Sequence, residues 1–466
     1  MEERLESAAE GSVVPEGPGA AQAGRSGAAQ AAPGWLQFPT EVARQFEACV
    51  HCGFCLPACP TYRELGTEAD SPRGRIDIMA GAFRGELAPG DADVSLHLDR
   101  CLDCRACESA CPSGVRYHAL YEAAVAQLPH RRPWTAVGAG PAGEAGEFAA
   151  AMGLVRGGLR HLLTRPRLLS WAVRLSPRLP LLSGRLPAGM AALAAGLPDV
   201  AQVPARRRLP AVLPAVGAKR GEVEVFLGCV QDAVLGDDNL AMARCLAACG
   251  FEVHLQRRQT CCGALHVHVG ERARFRRLAA TNVRALGGGD RPVVVAAAGC
   301  SAVLKDYGEL LAGTPLEAPG AALAGRVRDF AEFLAAAGPL PLAMPPAGAP
   351  VRVTWHDPCH LCHAQGVRRQ PRDLLRHLPG VEYVELPEAD ACCGSAGVYN
   401  LTQPDLAAAV LRRKVDHIAS TGAAWVVTEN PGCALQLRAG LRRSGAETRV
   451  LSLAQLLAEA FGGRPR

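Results

Sequence analysis

Eight cysteines in two matching runs constrain the N-terminal part of this chain more than any other feature: Cys49-x2-Cys52-x2-Cys55-x3-Cys59-Pro60, repeated as Cys101-x2-Cys104-x2-Cys107-x3-Cys111-Pro112. Three thiolates so closely spaced suit one face of a 4Fe-4S cube, and in paired runs of this kind the fourth cysteine ligates the other cluster. Two cubes are therefore expected close together. One would be held by Cys49, Cys52, Cys55 and Cys111, the other by Cys101, Cys104, Cys107 and Cys59. Such a pair implies electron relay. A disulfide framework fits poorly, because it belongs to small secreted chains, whereas this one has 466 residues and no secretory signal at its start. Structural zinc uses CxxC pairs separated by a spacer, not two runs of this form.

Nineteen cysteines in a long chain imply a reducing compartment where thiols stay free for metal, which the cytoplasm provides. A formal net charge of +5 argues against a dedicated nucleic-acid binder. Lysine occurs only at 219, 305 and 414 while arginine, alanine and glycine abound, which reads as background composition. No run of 18 or more apolar residues occurs, so a membrane span is not expected; Leu186 to Leu197 is too short.

Residues 1–36, rich in Ala, Gly, Glu and Ser, read as a disordered extension. The 41 residues between Cys59 and Cys101 contain Ser71-Pro72-Arg73-Gly74-Arg75, where Ser71 can cap a helix that starts at Pro72. An α-helical domain over 37–127 follows. Arg73 and Arg75 read first as solvated helix positions, and second as counter-charge for anionic clusters. Residues 128–218 form a basic linker or interface region. From 156 to 208 it carries ten arginines and one acid, Asp199, interleaved with leucines. That pattern suits a peripheral contact with the inner face of the cell membrane, a partner surface, or a solvated linker broken by prolines.

Beyond residue 220 the chain repeats itself. Val223 to Cys229, Cys261-Cys262-Gly263 and Val293-Val294-Val295 leading to Cys300 are matched by Val351 to Cys359, Cys392-Cys393-Gly394 and Trp425-Val426-Val427 leading to Cys433. Two α/β modules are expected, over 219–345 and 346–466, with helices at 238–249 and 406–418. Cys229, Cys261, Cys262 and Cys300, and likewise Cys359, Cys392, Cys393 and Cys433, then fall at the carboxyl ends of strands, where open α/β sheets bind ligands. A third iron-sulfur cluster leads the readings. Zinc, helped by His356, His360 and His363 around Cys359 and Cys362, stays open, as do thiol redox chemistry and packing. His266 and His268 read as surface or core residues, and Cys245 and Cys249 as packing.

Gly138-Ala139-Gly140-Pro141-Ala142-Gly143 matches GxGxxG, but Pro129 to Trp134 before it is no buried strand, so a linker is the better reading. Without a flavin site the chain lacks an evident place for hydride removal, and no catalytic residue is assigned.

The segments Cys49-Val50-His51-Cys52-Gly53-Phe54-Cys55, Asp70 to Ile76, Leu98 to Glu108, Cys111 to His118 and Cys392-Cys393-Gly394-Ser395-Ala396-Gly397 together resemble the iron-sulfur subunit of glycolate oxidase, a membrane-linked glycolate dehydrogenase. The resemblance spans about residues 37 to 460 and is poor across 130–210. It implies an α+β multi-domain protein: an α-helical ferredoxin domain with two 4Fe-4S clusters, then two duplicated CCG (cysteine-rich) modules. It also implies an oxidoreductase subunit that transfers electrons and does no substrate chemistry. FAD-bearing partner subunits would oxidise glycolate to glyoxylate and the electrons would pass toward quinone. A lactate or glycerol-3-phosphate type dehydrogenase is the alternative, as is a catalytic subunit like heterodisulfide reductase, whose CCG domains these modules also resemble. The closing CxxC of those domains is reduced here to Cys300 with Val303 and Cys433 with Gln436, so four thiols rather than five face each site.

Overall fold

The computed structural model describes residues 34–89, 91–128, 168, 169, 171, 194–340 and 349–460. Its N-terminal part is built from helices α1 (Thr40–Ala48), α2 (Pro60–Leu65), α3 (Pro72–Arg84), α4 (Ala92–Asp99), α5 (Ala106–Ser109) and α6 (Tyr117–Val125), with no strand among the described residues before 205. Helix α3 begins as its sequence dictates: Ser71 Oγ accepts from the Gly74 backbone N–H at 3.0 Å, Pro72 occupies the first turn, and Gly85 closes the end with φ 79°. Gly74 is required for space, since a Cβ there would lie 2.0 Å from the Glu68 carbonyl oxygen. Leu36, Ile76, Met79, Leu98, Leu120 and Tyr121 form the core between these helices. Leu36 is fully buried and Trp35 Nε1 donates to the Leu87 carbonyl at 2.9 Å, so the fold starts inside the stretch that composition assigned to the extension. Apolar contact outweighs the Ala/Gly bias at those two positions.

The C-terminal part contains two sheets. Strands β1 (Val212–Leu213), β2 (Gly221–Phe226), β3 (Phe251–His254), β4 (Val293–Val295) and β5 (Val327–Asp329) lie in the order β1-β3-β2-β4-β5. Strands β6 (Val351–Trp355), β7 (Val381–Val384), β8 (Trp425–Val427) and β9 (Arg449–Leu451) lie in the order β7-β6-β8-β9. All pairings are parallel except β1 with β3, so short valine-rich strands are covered by helices on both faces. The two sheets share one topology once β1 is set aside. Strand β1 comes from the region read as linker; there Ala205 and Leu209 are buried in the module core, and the Arg206 guanidinium pairs with the buried carboxylate of Asp232. The expected helices appear as α7 (Gly236–Ala248), shifted slightly toward the N-terminus, and α8 (Pro404–Ser420), slightly extended at both ends.

One core spans both modules. Val225 and Val294 of the first sheet and Trp355 and Val427 of the second belong to the same buried cluster, together with Cys245 and Cys249, whose sulfurs pack as expected. Helix α7 lies against a helix over Leu453–Ala460, and Cys245 Sγ donates to the Ala454 carbonyl at 3.5 Å. The helical N-terminal part docks onto this pair through polar contacts. Arg63 donates to both carboxylate oxygens of Glu388 at 2.8 and 2.9 Å, Tyr399 Oη to the Arg100 carbonyl at 2.9 Å, and His360 Nε2 to the Asp103 carbonyl at 2.8 Å. The GxGxxG lookalike and most of 156–208 lie outside the described residues, and among those described no helix is long and apolar enough to cross a membrane.

Two outcomes are expected from this shared core. Trp355→Ala removes a fully buried indole and its 2.6 Å bond to Asp357 Oδ1, and should cost about 3–5 kcal/mol, read from the denaturant midpoint of the C-terminal part. Asp238 is buried under Arg438 and Ser452 of the second module, and burial pushes its carboxyl up to about 7. In the folded state it therefore keeps its proton at a pH where the unfolded chain has lost it. Stability should be greatest below the unfolded carboxyl range and fall as pH rises toward about 7, with Asp238→Asn flattening that slope in unfolding midpoints taken from pH 4 to 8.

Candidate functional site

The two cysteine runs fold into the same local shape. His51 and Gly53 take positive φ of 54° and 83°, and Asp103 and Arg105, at the same offsets after Cys101, take 48° and 61°. These left-handed residues curl the backbone of each run in the same way, at some strain cost for the three that are not glycine. Asp103 N–H donates to Cys101 Sγ at 3.4 Å, Val115 N–H to Cys111 Sγ at 3.5 Å and Tyr117 Oη to Cys101 Sγ at 3.5 Å. Such donors stabilise sulfur that carries negative charge.

Electrostatic neighbourhoods cross between the runs. Cys49 feels Cys111 and Cys52, while Cys107 feels Cys104, Cys101 and Cys59. Burial pushes the Cys55 thiol up to about 11 and the Cys104 and Cys107 thiols higher still, so the ionised form needs a cation beside it. Soft, clustered, desolvated thiols are a donor set that fits iron-sulfur clusters. Cys52 is exposed, between Val50 and Phe54 at 66% and 65% exposure, whereas Cys59 and Cys104 are buried. The first set therefore opens on the surface and the second lies inside.

Arg75 departs from its reading as a solvated helix position. It is 1% exposed, because packing against α4 turns that face of α3 inward. Its guanidinium donates to the His97 carbonyl at 2.7 Å, to Thr61 Oγ1 at 3.0 Å and to Asp70 Oδ1 at 3.3 Å, and lies 3.9 Å from Cys59 Sγ. Burial works against the charge of Asp70, yet His97, Thr67 and Arg75 together hold its carboxyl below the usual range. Arg73 stays at the surface, bound to Glu68 and to the His51 carbonyl that belongs to the first run.

In the first module Cys229 and Cys261 lie 3.4 Å apart and Cys262 and Cys300 3.1 Å apart. In the second, Cys359, Cys392, Cys393 and Cys433 follow one another in the same way, each within interaction range of the next. The glycine after each cysteine pair has a mechanical reason. Gly263 and Gly394 take φ 92° and 84°, and a Cβ would lie 2.6 Å from the Phe275 ring and 2.6 Å from the Ala407 carbonyl oxygen. Val303 and Gln436, which stand where a fifth thiol would be, are both buried, and Gln436 accepts from Asn400.

Of the three histidines near Cys359, the structure brings only His356 to the thiols: a ring nitrogen of His356 and the sulfurs of Cys393 and Cys433 all lie within 4.8 Å of one another. His360 and His363 instead tie the second module to the N-terminal part, through Asp103 and Ser109. His268 ties the first module to the same residue, 2.8 Å from an Asp103 carboxylate oxygen, with its ring tilted against that of His360 at a centroid distance of 5.2 Å. Cys362 is buried and donates to the Cys359 carbonyl at 3.6 Å. Lys414, one of three lysines in the chain, is 2% exposed and donates to the carbonyls of Glu388 and Ala389, just before the Cys392-Cys393 pair. Its rarity was the available signal, and composition alone reads it as background. The second module's site is also next to the N-terminal thiols. Cys104 packs with Cys392 and Cys359 in one small cluster that includes Leu102 and Tyr399.

A duplicated thiol-bearing α/β pair joined to a two-run cysteine domain defines a class of iron-sulfur protein, and comparisons with known proteins agree. The family described as a 4Fe-4S dicluster domain matches residues 45–115, and the one described as a cysteine-rich domain matches 223–305 and 353–438. The chain is 36% identical over 424 residues to the probable glycolate oxidase iron-sulfur subunit of Bacillus subtilis (strain 168), covering 89% of this chain and 94% of that protein. It is 33% identical over 413 residues to the glycolate oxidase iron-sulfur subunit of Escherichia coli (strain K12), covering 85% and 91%. Over 53% of its length it is also 33% identical to one of the subunits of the fumarate reductase (CoM/CoB) of Methanothermobacter marburgensis, covering 48% of that protein. The chain belongs to the glycolate oxidase iron-sulfur subunit family.

Replacing Arg75 by Met should remove one of the partners of buried Asp70, whose pairs with Arg100 and His97 at 3.0 Å remain, and leave Thr61 and the His97 carbonyl without their donor, costing about 1–3 kcal/mol. Chemical denaturation of the two proteins side by side measures it; Arg73→Met, which removes only a surface pair with Glu68, should leave the unfolding midpoint close to that of the parent.

Proposed function

We propose that this chain is the electron-transfer subunit of a glycolate oxidase complex, in which an FAD-bearing partner oxidises glycolate to glyoxylate and quinone at the membrane receives the electrons. Its N-terminal part is an α-helical ferredoxin domain. Cys49, Cys52, Cys55 and Cys111 hold one 4Fe-4S cluster and Cys101, Cys104, Cys107 and Cys59 the other, while the thiol sets of the two modules, Cys229, Cys261, Cys262 and Cys300 and Cys359, Cys392, Cys393 and Cys433, hold further metal. Bound there, iron-sulfur clusters supply reversible one-electron chemistry.

The observation that carries this reading is the succession of thiol sets: exposed Cys52, then buried Cys104, then Cys359 and Cys392 in contact with it. Two-electron oxidation at a flavin followed by single-electron transfer needs such a succession from a surface to an interior acceptor. The apolar rim of Val50 and Phe54 around Cys52 suits the docking of a partner subunit. Around the inner set Arg75 supplies positive charge, and Tyr117 and backbone N–H groups direct hydrogen bonds to sulfur. Family membership supports glycolate as the substrate of the complex.

Cys104→Ser in the reconstituted complex tests this. Glycolate should still reduce the partner flavin, quinone reduction should fall to background, and the chain should lose about four irons. Unchanged quinone reduction in that variant would remove the proposal.

A further inference from the structure

We infer that His356 is a metal ligand, through Nε2, of the second module's site, which makes that site a mixed nitrogen and sulfur site unlike its counterpart in the first module. This rests on the reading that the second module holds metal.

The repeat supplies matched positions to compare. Cys229 and Cys359 stand 130 positions apart, and strand pairing keeps the same offset: Val225 pairs with Val294, and Trp355 with Val427. One step along each strand, Phe226 therefore corresponds to His356 and Val295 to Thr428. In the first module this pair is apolar, and both side chains are buried in the same core. In the second it is polar: His356 is 0% exposed, Thr428 1% exposed, and His356 Nδ1 lies 3.0 Å from Thr428 Oγ1.

The hydroxyl fixes the ring and occupies one nitrogen. The other, Nε2, is completely buried and has no hydrogen-bond partner in the protein. A buried polar atom left unpaired in this way calls for an explanation, because a phenyl ring fills the corresponding place in the sister module without that penalty. The thiols provide one. The sulfurs of Cys393 and Cys433 and a ring nitrogen of His356 lie within 4.8 Å of one another, close enough to share a single metal centre. Asn430 Nδ2 donates to Cys433 Sγ at 3.4 Å, orienting that thiol from its other side. A histidine whose far nitrogen is held by a hydroxyl is oriented as ligand imidazoles are. Imidazole together with thiolate suits a borderline cation, either iron in a cluster or zinc.

The test uses the full chain, purified anaerobically, with iron and zinc counted per chain. Protein grown with 15N-histidine is compared with unlabelled protein by hyperfine spectroscopy of the reduced state, and zinc-edge absorption identifies nitrogen ligation where zinc is present. Histidine nitrogen on iron or on zinc supports the inference, provided that His356→Phe, which installs the first module's own residue, abolishes that nitrogen signal while the N-terminal clusters keep their spectra. If His356→Phe fails to fold, His356→Gln takes its place, and the labelled parent protein needs no substitution at all. Metal in the second module with sulfur ligation alone, or a nitrogen signal that survives in the variant, overturns the inference and leaves the electron-transfer reading standing. No metal in the second module overturns the inference together with the reading of that module, while iron at the N-terminal runs is unaffected.

Discussion

Negative charge on sulfur inside a protein is stable only next to positive charge, and most of this molecule is arranged around that requirement. Hydrogen bonding to a neighbouring thiol, with burial, holds Cys229, Cys262, Cys359, Cys392 and Cys393 well above their ordinary range, and burial does the same for Cys104 and Cys107. The supporting residues follow the same logic. Arg75 stands beside Cys59, Tyr117 points its hydroxyl at Cys101, and Lys414 lies within electrostatic reach of Cys392 and Cys393.

The same requirement explains how the parts are joined. Asp103 sits within the second cysteine run, yet its carboxylate meets His268 of the first module and its carbonyl meets His360 of the second. A single residue between Cys101 and Cys104 thereby locks three parts of the chain together. Arg105 reaches Asp306 at 3.4 Å and Arg116 reaches Glu309 at 2.5 Å from the same face. The Arg105 pair is largely buried and the Arg116 pair is exposed, so these contacts fix orientation more than they add stability, which matters where electron transfer depends on separation. The modules hold each other by a different force, the shared apolar core around Trp355, Val225 and Val294.

Duplication gives this design a way to diversify. Both modules keep the strand order, the cysteine pair and its left-handed glycine, because these set the backbone path. The residues lining the sites have drifted apart: Phe226 and Val295 on one side, His356 and Thr428 on the other. One fold thus carries two different environments around its thiols.

The paired cysteine spacings, the Ser71-Pro72 helix start, the repeat after residue 220 and the positions of α7 and α8 are all written in the sequence, because each depends on residues a few places apart or on an internal copy. The sequence could not say that Arg75 is buried, that Leu36 belongs to the core, or that strand β1 arises from the basic region, since each depends on which surface packs against it. Nor could it choose among His356, His360 and His363, which lie within eight positions of one another but point to different neighbours: the thiols, Asp103 and Ser109. Local spacing determined which chemistry the chain can hold, while the meeting of distant segments decided which side chains attend each sulfur. Desolvation and charge pairing act through space, and only the folded chain fixes those distances.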